Sequence, residues 1–242
     1  MILQNIKTGL QQYFVGHSSP IVNIFCLSNA IISLGNNNEF ILLNYNLKIP
    51  FFVFSIPLFK VTSLTETKNS KVIYVAGKDA LKREAIILID KLRLVEYKEV
   101  QIICRQICDF DIHTLTSSPM ENDTFISCGY ENVRLWKNKN CVLKSEAIQL
   151  GFNFKNKKFV DCIFKYIEKR CTYLFAVNDN GELFKINYVN RQVEQVMKLH
   201  IGEIISIQYI IKNNTYATAG SDHNMKIWNH DFSECLLECN NE

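Results

Sequence analysis

The side chains with the most evident chemical capacity are nine cysteines and five histidines. Two cysteine pairs, Cys104 with Cys108 and Cys235 with Cys239, have the short spacing of metal ligands, and His113 follows the first pair. A zinc site needs a second tight pair to complete four ligands, and neither pair has a suitable one. On a β-strand, the two thiols of each pair would be about 13 Å apart, too far for one metal ion. We therefore expect no metal site and no disulfide, with reduced thiols that pack as small core hydrophobes.

Sequence motifs that position catalytic groups are absent. The chain has no Gly-rich phosphate loop, no His-Glu-x-x-His, no Gly-x-Ser-x-Gly and no paired carboxylates at a predicted strand end. Its composition, 48% hydrophobic and 21% charged with a net charge of +3, suits a substantial core and implies neither a nucleic-acid nor a membrane partner. The longest apolar stretch, Ile49 to Phe59, contains two prolines and is shorter than the roughly 20 residues that span a bilayer. We expect a non-enzymatic protein without cofactor or small-molecule substrate.

The elements that would position these side chains repeat along the sequence. Short runs rich in Ile, Val, Phe and Tyr alternate with clusters of Asn, Gly, Asp and Lys, which is typical of strands and turns. Segments 125–136 and 216–228 superpose as strand, Gly-containing turn and strand, ending in Trp136 and Trp228. These tryptophans are about 92 residues apart, or two periods of about 46, the length of a four-stranded propeller blade. A further copy is therefore expected between them.

That copy and two earlier ones complete the repeat. Segment 173–186 has the same pattern with Ile186 in the place of Trp, and segments 72–90 and 30–45 fill two more periods. The predicted third strands of the five copies end at Tyr45, Asp90, Trp136, Ile186 and Trp228. We predict an all-β fold with propeller blades at residues 17–50, 51–101, 102–152, 153–199 and 200–242, and with residues 1–16 as the outer strand of a preceding blade. Five blades and one strand are fewer than the common seven, which predicts part of a larger or incomplete propeller.

Residues around the predicted turns resemble the WD-repeat family. His17 and His200 each precede a new strand where that family carries Gly-His, and Trp228 stands where it carries Trp-Asp. The resemblance implies a WD40 β-propeller in which a His, a turn Asp and a Trp form a hydrogen-bonded network. His200, Asp222 and Trp228 match those places, and His17 and Trp136 match them in two other blades. Because a buried Trp N–H and a buried His both need partners, we expect these residues to be structural and not catalytic.

Residues 125–242 resemble more closely the WD repeat-containing protein 90 family, WD-repeat proteins of the centriole wall. The resemblance rests on the Ser-Cys-Gly-x-x-Asn segment 127–132, on the strand start 159–161 and on segment 231–238 of the last blade. Microtubule-associated propellers of the echinoderm type share the Ser-Cys-Gly-x-x-Asn form. Residues 46–110 depart from the pattern and their blade has no Trp. The resemblance implies a scaffold at centriolar or ciliary microtubules.

Basic residues concentrate in one predicted blade. Lys155, Lys157, Lys158, Lys169 and Arg170 outnumber the acidic residues around them, and such an excess would attract an acidic surface such as the tubulin tails. Simple solvation of loops is the alternative explanation. No aromatic residues are interleaved with these lysines at stacking spacing, so a nucleic-acid partner is not expected.

Two functions of different classes remain open. The first is a structural component of the centriole, basal body or cilium, whose partners are proteins such as tubulin or microtubule-wall proteins. The second is a general cytosolic adaptor of a multiprotein complex, of the ubiquitin-ligase or trafficking type. Both predict a protein of the cytoplasm or cytoskeleton that carries no catalytic residues.

Overall fold

Most of the described residues lie in antiparallel β-sheets. The computed structural model describes residues 2–4, 11–13, 16–28, 30–44, 52–58, 60–67, 71–151, 155–167 and 170–240. Five four-stranded antiparallel sheets follow one another, and in each sheet the strands lie side by side in chain order. The all-β repeat predicted from the sequence is therefore confirmed. A two-stranded pair, β1 (Ile2–Gln4) and β2 (Gln11–Tyr13), precedes them.

The chain divides into two compact units, residues 1–66 with 70–107 and residues 67–69 with 108–242. The first unit holds the first two sheets. The first sheet consists of β3 (Ile21–Cys26), β4 (Ala30–Gly35), β5 (Phe40–Asn44) and β6 (Phe52–Phe54). The second sheet consists of β7 (Lys60–Glu66), β8 (Val72–Lys78), β9 (Glu84–Asp90) and β10 (Ile102–Cys108).

A short helix, α1 (Lys91–Glu96), separates β9 from β10 and was not predicted from the sequence. Asp90 caps it, since its carboxylate accepts a hydrogen bond from the Arg93 backbone N–H at 2.9 Å. Leu94 is buried in the core of the first unit, and the Lys91 ammonium contacts the Glu66 carboxylate. The helix is the only one of more than one turn in the described part of the chain, which contains no helix with the length and apolar character needed to cross a membrane.

The second unit holds the other three sheets. The third sheet consists of β11 (Thr114–Ser117), β12 (Thr124–Gly129), β13 (Asn132–Lys139) and β14 (Val142–Ala147). The fourth consists of β15 (Phe159–Ile167), β16 (Arg170–Asn178), β17 (Glu182–Asn187) and β18 (Val193–Lys198). The fifth consists of β19 (Ile204–Ile210), β20 (Thr215–Gly220), β21 (Asn224–Trp228) and β22 (Cys235–Asn240).

A shared irregularity marks the first strand of four of the five sheets. Each of these strands has a shift of register after its first or second paired residue, at positions 21/23, 61/63, 159/161 and 204/206. A bulge leaves one residue outside the ladder and increases the local twist of the strand. The same distortion at the same place in successive sheets is independent evidence that the sheets are copies of one unit.

The second strands of the sheets form the buried centre of each unit. β4, β8 and β12 are covered on both faces almost without interruption, and a strand of that kind has a continuous apolar sequence without alternation. In the first unit, Ile32, Phe40, Ile73 and Ile87 lie in one buried cluster. Among the described residues of the second unit, one cluster of buried side chains lies between the third and fourth sheets and another between the fourth and fifth sheets.

A buried carboxylate joins the fourth and fifth sheets. Asp161 Oδ2 accepts hydrogen bonds from the Ser206 hydroxyl and from the Ile207 backbone N–H, both at 3.0 Å, while Oδ1 accepts from the Cys162 backbone N–H at 2.8 Å. Burial raises the pKa of Asp161, and these hydrogen bonds oppose that rise. One side chain of β15 therefore fixes the position of β19.

The strand bounds differ in places from the blades predicted at 17–50 and 51–101. β6 lies beyond residue 50 and the whole of β10 lies beyond residue 101, so the last strand of each of the first two sheets falls within the next predicted blade. Residues 1–16, predicted as one outer strand, contain two paired strands in their described part. The predicted strand end Tyr45 lies outside the described residues.

Candidate functional site

The fifth sheet contains a complete chain of polar side chains. His200 Nδ1 lies 3.0 Å from Asp222 Oδ1, and His200 Nε2 lies 2.8 Å from Thr218 Oγ1. Trp228 Nε1 donates to the same Thr218 hydroxyl at 2.8 Å. The Asp222 carboxylate can only accept, so His200 Nδ1 carries the hydrogen between them; the Thr218 hydroxyl, which accepts from Trp228, then gives its own hydrogen to His200 Nε2. This assigns the Nδ1–H tautomer to His200, which then donates to Asp222.

The electrostatics of this network suit a fixed structural role. Burial alone would raise the pKa of Asp222, but hydrogen bonds from His200 and from the backbone N–H groups of Asn224 and Ile201 lower it below its ordinary value. His200 is only 2% exposed, and both of its ring nitrogens are engaged. A general acid or base must reach a substrate, and this imidazole does not.

Partial versions of the network occur in the first and third sheets. In the third sheet, Trp136 Nε1 donates to the buried Ser127 hydroxyl at 2.8 Å. In the first sheet, His17 Nε2 lies 2.8 Å from the Ser33 hydroxyl, and its Nδ1 lies 3.5 Å from the Glu39 carboxylate. The five residues singled out from the sequence thus all make side-chain hydrogen bonds at equivalent places of their own sheets.

The second sheet replaces the network with an ion cluster. Asp79, buried after β8, contacts Arg83 at 2.9 Å and Arg105 at 2.6 Å through Oδ2. Its Oδ1 accepts from the backbone N–H groups of Leu81 and Arg83, which closes the turn between β8 and β9. Burial would raise the pKa of Asp79, but the hydrogen bonds and charge of Arg83 together lower it. Sequence reasoning missed this cluster, because Arg105 is distant along the chain.

The fourth sheet has neither the hydrogen-bonded network of the fifth sheet nor the arginine cluster of the second. Ala176 and Ile186 occupy the places of Thr218 and Trp228, so the centre of the sheet is apolar. The turn is closed instead by Asn178, whose side-chain oxygen accepts from the backbone N–H of Glu182 at 2.9 Å. These three solutions show that the turn between the second and third strands needs buried polar partners, although the residue types vary.

The predicted basic residues do not come together as one patch. Lys155 and Lys158 lie before β15, whereas Arg170 follows the far end of that strand, and eight steps at about 3.3 Å put them roughly 26 Å apart. Lys157 is paired with the Glu182 carboxylate at 2.5 Å and is therefore no free charge. Lys169 lies outside the described residues. The basic residues are close in sequence but not in space, because the extended strand β15 lies between the lysines that precede it and Arg170.

The cysteine pairs lie within single strands, Cys104 with Cys108 on β10 and Cys235 with Cys239 on β22. All nine cysteines are free thiols, and in the ranges described no three His, Cys, Asp or Glu side chains form a metal site. Cys108 is buried, but Cys235 is exposed, so the expectation that these pairs are core residues was wrong for Cys235. The spacing of two cysteines on a strand does not show whether that face of the strand is buried, so it does not predict the exposure of the thiols.

A candidate interaction surface lies at one end of the sheets of the second unit. We call it the turn-end surface: the end at which the second and third strands of each sheet connect, including Tyr130, Lys155 and Ile201. Tyr130 is 46% exposed and Ile201 is 88% exposed, and Lys155 is also exposed. The Tyr130 hydroxyl donates to the Asn156 side chain at 3.3 Å. Exposed aromatic and aliphatic groups beside a cation are typical of protein-binding surfaces.

Five successive four-stranded antiparallel sheets, the fifth of which holds the complete His, Asp, Thr and Trp network, give this chain a WD40-type β-propeller fold. Its sequence is similar to WD repeat-containing protein 90 of Xenopus tropicalis, at 23% identity over 270 residues that cover 100% of this chain and 14% of that protein. Centriole proteome protein 16 of Chlamydomonas reinhardtii is 22% identical over 192 residues, which cover 71% of this chain and 9% of that protein. The chain thus spans a small part of the length of the curated relatives it matches.

The solved structures support the same fold. The β-propeller domain of Cps50 (Swd1) from Myceliophteria thermophila has a TM-score of 0.69 and 10% identity, over 92% of this chain and 74% of that one. At this identity the likeness shows the fold alone. No protein-family profile matches the chain.

Proposed function

We propose that this chain is a non-catalytic WD-repeat scaffold that mediates protein–protein interaction in the wall of the centriole, basal body or ciliary microtubules. The observation that carries the proposal is the similarity of the whole chain to WD repeat-containing protein 90. The likeness to a centriole proteome protein over 71% of the chain supports the same cellular place. The propeller fold supplies the interaction surface, and the location is carried over from the relatives.

The polar groups of the sheets support a role without catalysis. His200 and Asp222 are the pair most capable of proton transfer, and both are used to hold the turn of the fifth sheet. Asp79 and Glu182 are likewise engaged by cations or backbone groups. A catalytic group needs free space for a substrate beside its reacting atom, and the polar atoms of these side chains are already engaged in hydrogen bonds or ion pairs within the protein.

The turn-end surface of the second unit is the proposed contact for a protein partner. Tyr130 and Ile201 offer apolar area that a partner can cover, and aromatic residues commonly carry a large share of binding energy. Lys155 and Lys158 at the same end would speed the encounter with an acidic surface. Tubulin, with its acidic tails, or another microtubule-wall protein is the proposed partner class.

Localisation tests the cellular part of this proposal. The tagged protein, expressed in dividing and ciliated cells beside a tubulin marker, is expected at centrioles, basal bodies or axonemes. Diffuse cytosolic signal would contradict the centriolar role and favour the general adaptor of a multiprotein complex. Fractionation gives a second readout, because a wall component stays with the insoluble axonemes and an adaptor is released.

Charge reversal tests the proposed surface. The variant Lys155→Glu is expected to lower co-pelleting of the chain with stabilised microtubules, with a larger effect at low salt, because exposed charges are screened over about 10 Å at 0.1 M salt. Lys144→Glu is the matched control, since Lys144 is exposed on β14 and away from the turn end. Equal losses in the two variants would mean a non-specific charge effect and would contradict the assigned surface.

A further inference from the structure

The fifth sheet has an exposed apolar face. On one side of this sheet, two rows of directly opposite residues cross β20, β21 and β22, and none of them is charged: Ala219, Met225 and Cys239, and Ala217, Ile227 and Leu237. We call this surface the Met225 face. Met225 is 44% exposed and Leu237 is 54% exposed, whereas the other side of the sheet packs against the fourth sheet. Exposed apolar side chains gathered on one surface mark a site of interaction with a partner.

The equivalent positions in the third and fourth sheets are buried. By strand register, the place of Met225 is taken by Val133 in the third sheet and by Leu183 in the fourth. Val133 is 1% exposed and Leu183 is fully buried, because each lies in the apolar cluster that its sheet shares with the next sheet. The Met225 face is therefore one half of a sheet-to-sheet contact that is complete at both earlier places.

The two existing contacts indicate which face the occupant must present. Between the third and fourth sheets, Val133 shares a cluster with Ile186. Between the fourth and fifth sheets, Leu183 shares a cluster with Trp228. Ile186 and Trp228 are equivalent residues, and both lie on the side of their sheet opposite to the place of Met225. Each contact therefore joins unlike faces. A symmetric dimer would place two like faces together, so it does not reproduce either contact.

We propose that the Met225 face binds one further four-stranded antiparallel sheet of the same repeat type, supplied by polypeptide other than the five sheets of this chain. The occupant presents the face that carries the equivalent of Ile186 or Trp228, and it packs about 10 Å away, as stacked sheets do. Because the Met225 face has no charged side chain, the matching face is apolar, as it is in both existing contacts. The site is separate from the turn-end surface, and its existence does not depend on where in the cell the protein acts.

Extension of the full chain by a second copy of residues 153–199 supplies such a sheet. In this chain that segment forms the fourth sheet, whose Ile186 side already packs against a neighbouring sheet. The copy is joined after Glu242. Residues 241–242 and the copy's own residues 153–158 then give a longer connection than residues 199–203, which join β18 to β19. The added sheet can therefore reach the Met225 face.

The Cys239 thiol reports whether the copy docks, because it lies directly opposite Met225. Both chains carry Cys235→Ser, so that Cys239 is the only thiol of β22. Its rate of alkylation by iodoacetamide, measured by mass spectrometry, is expected to fall at least about tenfold in the extended chain, since a covered thiol reacts only when the sheets separate. Cys26, exposed on β3, is the internal control and keeps its rate. Equal rates at Cys239 with and without the copy would overturn the proposal.

Two charge variants of the extended chain identify the surface. Leu237→Lys places a charge in the Met225 face and is expected to abolish the protection of Cys239, because an unpaired charge is costly to bury. Val189→Lys adds the same charge to the original fourth sheet, at an 84% exposed position in the turn between β17 and β18, and is expected to preserve the protection. Loss of protection in both variants, or in neither, would contradict the assigned face.

The unextended chain separates the alternative occupants. Its Cys239 is expected to react at the same rate at all protein concentrations, and Leu237→Lys is expected to leave its free energy of unfolding unchanged. If alkylation slows as the protein concentration rises, a second copy covers the face and the proposed partner is wrong. If Leu237→Lys destabilises the unextended chain and Val189→Lys does not, the chain covers the face itself and the proposal is likewise overturned.

Discussion

Replacement of Thr218 by valine isolates the hydroxyl at the centre of the fifth-sheet network. Valine keeps the shape of threonine but can neither accept from Trp228 nor donate to His200, which are both 2.8 Å away in the wild-type chain. The imidazole is fully buried, so its orphaned Nε2 costs about 1–3 kcal/mol. The indole N–H of Trp228 is half-buried and loses a hydrogen bond of about 1 kcal/mol. Together these predict that Thr218→Val lowers the free energy of unfolding by about 2–4 kcal/mol.

Thr218→Ser is the matched control, because it keeps the hydroxyl and removes one methyl group. Its expected loss is about 1 kcal/mol, from reduced burial alone. Urea unfolding followed by circular dichroism gives the two free energies, and hydrogen exchange of the β20 and β21 amides shows whether the loss is local. If Thr218→Val is as stable as Thr218→Ser, or more stable, the network does not hold the sheet together and the structural reading of His200 and Trp228 fails.

Three further predictions concern glycine, acid and thiols. Gly129→Ala should lower the free energy of unfolding in urea by roughly 3 kcal/mol or more, because the added Cβ would lie 2.0 Å from the Asp111 carbonyl oxygen. Gly151→Ala adds a Cβ with nothing within 4 Å, so it should cost only about 1–2 kcal/mol of stability, from backbone strain at its positive φ. Equal losses in the two variants would contradict this. Hydrogen bonds hold the pKa of Asp222 below its ordinary value of 3.8, so its contribution to stability is complete above that pH and is lost as pH falls through the lower folded value. Asp222→Asn should therefore weaken the fall in the free energy of unfolding at acid pH. An unchanged fall would count against the pair with His200. Cys26 and Cys235 are exposed and should react promptly with a thiol reagent, whereas burial raises the pKa of Cys128 and should keep it unreactive until the chain unfolds, which mass spectrometry of the labelled peptides will decide.

The repeat was predictable because it rests on local chemistry. A Gly-containing turn between two apolar runs, closed by Trp136 or Trp228, has the same residues wherever it recurs, so the period is visible in one sequence. The pairing of His200 with Asp222 was expected from the resemblance to the WD-repeat family, and the need of a buried His for hydrogen-bond partners agrees with it. The copy that ends at Ile186 was recognised by its Asn/Asp/Gly turn, because it has no Trp at the end of its third strand.

Features that depend on distant or inserted residues were not predictable. The helix α1 has six residues and no amphipathic period of useful length, and its Asp90 cap is also the last residue of a strand. The Asp79 cluster includes Arg105, which lies on β10, the last strand of the same sheet. The basic residues near Lys155 and Arg170 are close in sequence but are separated by the length of β15, a distance that only the strand assignment reveals.

The buried Asp161 carboxylate has a consequence for how the chain loses its structure. Its oxygens serve β15 and β19 together, so detachment of the fifth sheet breaks the hydrogen bonds from Ser206 and Ile207 and at the same time uncovers the apolar cluster that the two sheets share. The fourth and fifth sheets should accordingly open in a single cooperative step, and the edge at β22 should fray long before the seam at Asp161 parts.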